Sequence, residues 1–121
     1  MDTWTPQELA QLDRASEVRV AGRRADGSSR TPTIVWHVVV DGALYLRSVK
    51  GPEGQWYRGV VRHFEGFISW GGTTREVTYT LDSSRDPAID AAYTKKYGSG
   101  SAARAITNAL SKQTTLRVDP R

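Results

Sequence analysis

From Ala43 to Phe64 the chain reads ALYLRSVKGPEGQWYRGVVRHF, an alternating strand that runs into a cationic, Gly-rich corner and then into a helix bearing an adjacent Trp and Tyr. Arg47, Ser48, Lys50 and Gly51 fall where the strand ends; Trp56, Tyr57 and Arg58 fall where the helix begins. A hydroxyl, the amides around a glycine and an ammonium can together receive an oxyanion or the carbonyls of a ring. The combination suits a phosphorylated aromatic ligand. A solvated loop, with its glycine placed for backbone conformation, is the alternative the residues leave open.

Side-chain alternation puts Leu44, Leu46 and Ser48 on one face and Tyr45 and Arg47 on the other, so inward leucines bring Ser48 to a rim. Neighbours on a helix point about 100° apart, so Trp56 and Tyr57 do not share one narrow buried stripe. Trp56, Gly59 and Val60 recur at i, i+3 and i+4, which favours Trp56 as the core anchor and Tyr57 as the accessible ring, with Arg58 facing solvent or a phosphate; a pair wholly in the core is the alternative the residues leave open. A second basic set, Arg23 and Arg24 with Arg30 across the segment ADGSSR, offers guanidinium forks for a phosphate or, alternatively, charges that keep a hairpin soluble. His37 lies inside IVWHVVV and reads as a barrel-wall histidine. His63 ends a helix, where a cation complements the dipole. No His, Asp or Glu cluster has metal-ligand spacing, and no Ser sits in a nucleophile-elbow context.

The elements that must position these residues are legible in outline. Thr5-Pro6-Gln7-Glu8 is a capping-box start for a helix over 6–14, with Leu9 and Leu12 on one stripe. Alternation predicts a strand over 17–23, a longer one over 31–40, and a third over 43–49 after the Asp41-Gly42 turn. A short helix over 55–63 follows the Gly51-Pro52-Glu53-Gly54 corner. Strands over 67–70 and 75–81 flank Gly71-Gly72, helices occupy about 87–110, and a last strand covers 114–118. This is an α+β pattern of six strands with three or four short flanking helices. So many strands in 121 residues favour closure into a small antiparallel barrel, because closure removes exposed edges.

Length matches one domain over 1–121, and zero Cys rules out disulfides, thiolate metal sites and Cys nucleophiles and makes the cytoplasm the expected compartment. No apolar run approaches the roughly 18 residues a membrane span needs, so no membrane partner is expected. The net charge of +4 comes from 17 basic against 13 acidic residues. Excess Arg matches phosphate oxygens two at a time, while its scatter along the chain argues against a nucleic-acid interface.

The segment from Arg19 to Trp70 resembles the split β-barrel FMN-binding superfamily, and within it the deazaflavin-dependent nitroreductases. The matching pieces are Gly22-Arg23, Arg30, Asp41-Gly42, Ser48-Val49-Lys50-Gly51 and Trp56-Tyr57-Arg58-Gly59-Val60. The whole chain is similar to a compact bacterial family of unassigned function inside that superfamily. The resemblance implies a six-stranded Greek-key split barrel, commonly a homodimer, that binds a deazaflavin coenzyme or FMN and passes hydride to a small-molecule substrate. It implies that Arg23 and Arg30 contact phosphate, that Ser48, Lys50 and Gly51 contact ring or phosphate, and that Trp56 and Tyr57 wall the groove, with Arg58 beside them. Gly59-Val60 stands where that branch has Asn-Leu, and the preceding loop is shortened to PEGQ. A cofactor-free protein using the same groove for another small molecule, and a basic nucleic-acid-binding module, are the alternatives.

Overall fold

The computed structural model describes residues 3–121, with Ala102 described by its backbone alone. Helix α1 (Pro6–Arg14) begins as its sequence dictates: Thr5 Oγ1 accepts from the Glu8 N–H at 3.1 Å, and Glu8 Oε1 accepts from the Thr5 N–H at 3.0 Å. The amphipathic stripe then buries Leu12 completely, while Trp4 Nε1 donates to the Val118 carbonyl at 2.8 Å and Glu8 pairs with Arg75. The helix thereby plugs one end of the barrel.

Seven strands form one antiparallel sheet: β1 (Val18–Gly22), β2 (Thr33–Val35), β3 (His37–Val40), β4 (Ala43–Leu46), β5 (Glu65–Trp70), β6 (Thr73–Leu81) and β7 (Leu116–Pro120), in the spatial order β2-β1-β5-β6-β7-β4-β3. Two-residue turns set the registers. Asp41 and Gly42 both have positive φ, 50° and 78°, as do Gly71 and Gly72 at 49° and 82°, the geometry a tight hairpin matched to strand twist demands.

The two strands at opposite ends of that order, β2 and β3, are joined by Trp36 alone. One continuous segment therefore pairs with β1 through its first half and with β4 through its second, closing the sheet into a nearly complete barrel. This is the six-stranded split barrel expected, with the long strand counted twice because it changes partner at Trp36. The helices number five rather than three or four among the described residues: α1, α2 (Gln55–Val60), α3 (Asp86–Tyr97), α4 (Ser101–Thr107) and α5 (Ala109–Lys112), with one 3-10 turn over Gly51–Glu53.

Two apolar clusters follow from strand alternation. Val18, Val20, Leu44, Leu46, Ile68, Val77, Leu116 and Val118 fill the barrel with Leu12 and Tyr57. On the outer face of β3 and β4, Val38, Val40 and Tyr45 pack under Ile89, Tyr93 and Ile106 of α3 and α4. No described helix is long and apolar enough to cross a membrane.

Candidate functional site

The β3–β4 ladder runs from Val40↔Ala43 to His37↔Leu46. Continued in the same register it would pair 36 with 47, 35 with 48, 34 with 49 and 33 with 50. It does not continue, because Val35 pairs with Val18 and the segment departs with β1. These eight residues instead form the two banks of a groove of about 610 Å³, closed at one end by Glu53, Gly54, Gln55 and Trp56. The site is a gap in a ladder, produced by the same partner change that closes the barrel.

The second bank is held from behind by side chains in place of a strand. The Ser48 N–H donates to Thr114 Oγ1 at 2.8 Å, Ser111 Oγ donates to the Ser48 carbonyl at 2.8 Å, and Thr114 Oγ1 donates to the Ser111 carbonyl at 2.6 Å. Ser111 and Thr114 are fully buried. The Gly51 N–H closes back on the Ser48 carbonyl at 3.0 Å, and Gly51 takes φ 67°, a conformation that disfavours any side chain. Gly54 supplies the remaining room: a Cβ there would lie 2.3 Å from Ser48 Oγ. Ser48 is thus recessed, at 1% exposure, in the groove wall rather than standing on the rim, and its hydroxyl has no hydrogen-bond partner among the described residues. Lys50, beside it, is exposed and has no carboxylate within ion-pair distance among the described residues.

Arg47 is not part of the cationic corner. Its guanidinium is wholly buried, donating to Asp86 Oδ1 at 2.9 Å, to Asp90, and through Nε to Thr115 Oγ1 at 3.0 Å, above the Tyr93 ring. Asp90 also receives Lys112 at 2.9 Å. Two acids and two bases neutralise one another there, so Arg47 ties the helical layer to β4 and offers no charge to a ligand.

The aromatic pair has the opposite assignment from the one its spacing suggests. Tyr57 is 8% exposed and belongs to the barrel core with Val60, whereas Trp56 is half-buried and lines the groove. Burial raises the Tyr57 phenol above its ordinary value. Gly59 is buried for a different reason from Val60: the Arg30 side chain lies across it, and a Cβ at 59 would sit 2.9 Å from Arg30 Cδ. On the other wall, Trp36 lines the groove and stacks on Tyr97, with centroids 4.1 Å apart and planes 8° from parallel. In the sequence Trp36 is one more residue of an apolar run. Its signal, an indole at the centre of an over-long strand, becomes informative only once the strand is known to split there.

A second pocket, of about 440 Å³, adjoins the first through Thr33, Gln55 and Trp56, and it contains Arg24, Arg30 and Thr31. Arg30 Nε is buried there without a partner. Arg23 is elsewhere: it pairs with Glu76 at 2.7 Å and Glu65 at 3.7 Å and lies over Phe67, so of the three arginines only Arg24 and Arg30 line this pocket. Arg58 is exposed and lines neither pocket. Gly59→Ala is expected to swing Arg30 away while changing stability by no more than about 1 kcal/mol, since the helix gains what the contact loses. Thermal unfolding together with anion competition, read by Trp fluorescence, checks both halves of that expectation.

Both histidines lie outside these pockets. His63 is exposed. His37 is fully buried, and its Nε2 is 2.6 Å from the Leu12 carbonyl, which only accepts, so Nε2 carries the proton and Nδ1 is left without a partner. Lys96 Nζ donates to the Leu12 and His37 carbonyls at 3.4 and 3.3 Å. Burial, with Lys96 nearby, lowers the His37 pKa to about 4, and burial lowers Lys96 as well. This cluster caps the end of α1. Among the described residues no group of His, Asp and Glu could hold a metal ion.

Residues 8–118 match the family model DUF2255, described as an uncharacterized protein conserved in bacteria, and the chain belongs to that family. No curated protein matches it in sequence. Among solved structures it shares its fold with a conserved hypothetical protein of Mycobacterium tuberculosis, at TM-score 0.62 and 14% identity over 98% of this chain and 80% of the other. An F420 reductase is similar at TM-score 0.53 and 16% identity, over 93% of this chain and 90% of the other. A FAD-binding protein of Mesorhizobium loti is similar at TM-score 0.53 and 13% identity, over 98% and 89%. At these identities the likeness is one of fold.

Proposed function

We propose that this DUF2255 protein binds a flavin or a deazaflavin coenzyme in the ladder gap and serves as an oxidoreductase for a small organic substrate. The observation that carries the reading is the junction of two unlike pockets. One is walled by Trp36 and Trp56 and contains a hydroxyl without a protein partner, set in a recess that any side chain at 54 would fill. The other holds two arginines without carboxylate partners among the described residues, one with an orphaned Nε. A planar heterocycle with an anionic tail has the shape and polarity to occupy both. The F420 reductase and the FAD-binding protein that share the fold support the same ligand class.

In this reading Ser48 Oγ and Lys50 meet the polar edge of the ring, Gly54 leaves the Ser48 hydroxyl its place, the two indoles wall the ring, and Arg30 with Arg24 receives the anionic tail, while Gly51, turned towards Leu110 and outside the groove lining, only shapes the corner. When bound, the cofactor supplies hydride transfer. The protein's share is binding, orientation and exclusion of water. Tyr57, Arg58 and Arg23 have no part in it.

Titration with FMN and with the deazaflavin coenzyme, followed by Trp fluorescence, tests the proposal. Saturable quenching by either supports it. Absence of a response to both, in a folded protein that still binds other small aromatics, turns the reading to a cofactor-free ligand site. Lys50→Ala is expected to weaken binding about tenfold at low salt and less as ionic strength rises, because the ammonium is exposed. Ser48→Ala should cost a similar factor that is indifferent to salt, the difference between a charge and a recessed hydroxyl.

A further inference from the structure

Beyond the cofactor, the same groove carries information on what else enters it. Four large apolar side chains are substantially exposed among the described residues: Ile34 at 49%, Val49 at 52%, Leu81 at 49% and Leu110 at 57%. Isolated residues of this kind are ordinary, whereas a cluster is not. Ile34 and Val49 lie on opposite banks of the groove at what would be register partners, and Leu110 packs its Cβ beside Gly51 at the end of the second bank. Leu81 alone lies elsewhere, at the end of β6 opposite Leu116.

Alternation explains why the pair is uncovered. Val38, Val40 and Tyr45 share the outer face of β3 and β4 and are sealed by α3 and α4. Trp36 and Arg47 are the last outward residues to meet α3, through Tyr97 and through Asp86 and Asp90. Two residues further, Ile34 and Val49 continue the same outward face with no helix above them. The apolar layer thus runs on into the mouth of the groove, where a concave space of about 610 Å³ replaces the helix. A cavity of this size, with convergent walls, suits a small molecule rather than a flat protein face.

We propose that the mouth of the groove, between Ile34 and Val49, selects an uncharged, apolar aromatic compound as the protein's second ligand. The inference names the substrate class for the proposed oxidoreductase and rests on the groove being its ligand site. The charged groups fall on other parts of the wall: Lys50 and Glu53 at one end, Arg24 and Arg30 beyond Trp56. A ligand lodged between the two β-branched side chains meets no donor or acceptor from either, so a polar substituent there would be desolvated without compensation.

The test uses the full-length protein and a matched pair of neutral probes, 2-methylnaphthalene and the more polar isoquinoline, titrated against Trp fluorescence with and without saturating FMN or deazaflavin coenzyme. The expected result is at least a tenfold preference for 2-methylnaphthalene. The double variant Ile34→Thr/Val49→Thr should lose about tenfold in affinity for it, while Leu81→Thr, outside the groove, leaves probe and coenzyme affinity untouched. Equal binding of the two probes, or a double variant that binds 2-methylnaphthalene as the parent does, overturns the inference. Failure of both coenzymes to bind while the probe preference persists overturns the cofactor reading and leaves the apolar mouth standing. Circular dichroism of the double variant separates misfolding from lost selectivity; a misfolded double variant transfers the decision to the single variant Val49→Thr, with an expected loss of about threefold.

Discussion

Replacing Arg47 by Met is expected to lower the unfolding free energy by about 3 kcal/mol, the lower end of what removing one partner of a buried ion pair costs. The guanidinium is fully buried, whereas Asp86 and Asp90 keep 20% and 28% of their side-chain surface exposed, so the acids left behind rehydrate in part. Asp90 also keeps Lys112, and Asp86 keeps the Thr115 hydroxyl at 2.8 Å. What is lost outright is the link between α3 and the strand that becomes the second bank of the groove. Arg85→Met, removing an exposed pair with Asp41, should cost less than about 1 kcal/mol and serves as the comparison. Urea unfolding of the two variants decides the matter: equal midpoints would remove Arg47 from the account of how the bank is held.

Acid is expected to destabilise the protein through His37. The His37 ring is neutral when folded, with its pKa lowered to about 4 by burial and by the Lys96 ammonium, against 6.5 in an exposed chain; the hydrogen bond to the Leu12 carbonyl and, less, Asp13 oppose that lowering. Between those values the unfolded chain binds the extra proton, so stability is complete above about pH 6.5 and declines as the pH falls towards 4. The total loss is about 3 kcal/mol, since each tenfold difference in proton affinity between the folded and unfolded chain is worth roughly 1.4 kcal/mol. His37→Gln keeps a donor for the Leu12 carbonyl and removes the titration. Its stability should fall less steeply from pH 6.5 to 4 than the parent's, whatever its stability at pH 7. Parallel profiles for the two proteins would show that His37 does not titrate on unfolding.

What could be read in advance divides by range of interaction. The capping box at Thr5 and Glu8 and the tight turns at Asp41-Gly42 and Gly71-Gly72 are local chemistry, and each forms where its residues stand. The split of the long strand is not local: IVWHVVV contains no breaker, and the change of partner at Trp36 is decided by whether β1 or β4 offers the better ladder at each residue. Trp56 and Tyr57 exchange roles for a similar reason. Gly59 enters the i, i+3, i+4 stripe as if its burial pointed at the barrel core, while its contact is Arg30, from a separate loop far earlier in the chain. Tyr57 with Val60 is the stripe that faces the core. Arg47 resists placement from sequence because the acids that bury it lie 39 and 43 residues away. For the site, the Ser48 to Gly51 corner and Arg30 are legible from residue types. Trp36, Gly54 and the backing hydroxyls of Ser111 and Thr114 are not, since each acts only through a neighbour brought by the fold.

Because Trp36 is the only residue between β2 and β3, the seam of the barrel is covalent where every other contact between neighbouring strands is a row of hydrogen bonds. The groove is bounded by two ladders that stop at the same residue, one paired with β1 and the other with β4, so its width follows from the backbone torsions at Trp36. The stack of that indole on Tyr97, whose hydroxyl also lies 3.1 Å from the His37 carbonyl, fixes those torsions from outside. The helix α3, which carries Tyr97, therefore bears on the spacing of two banks that it does not itself line.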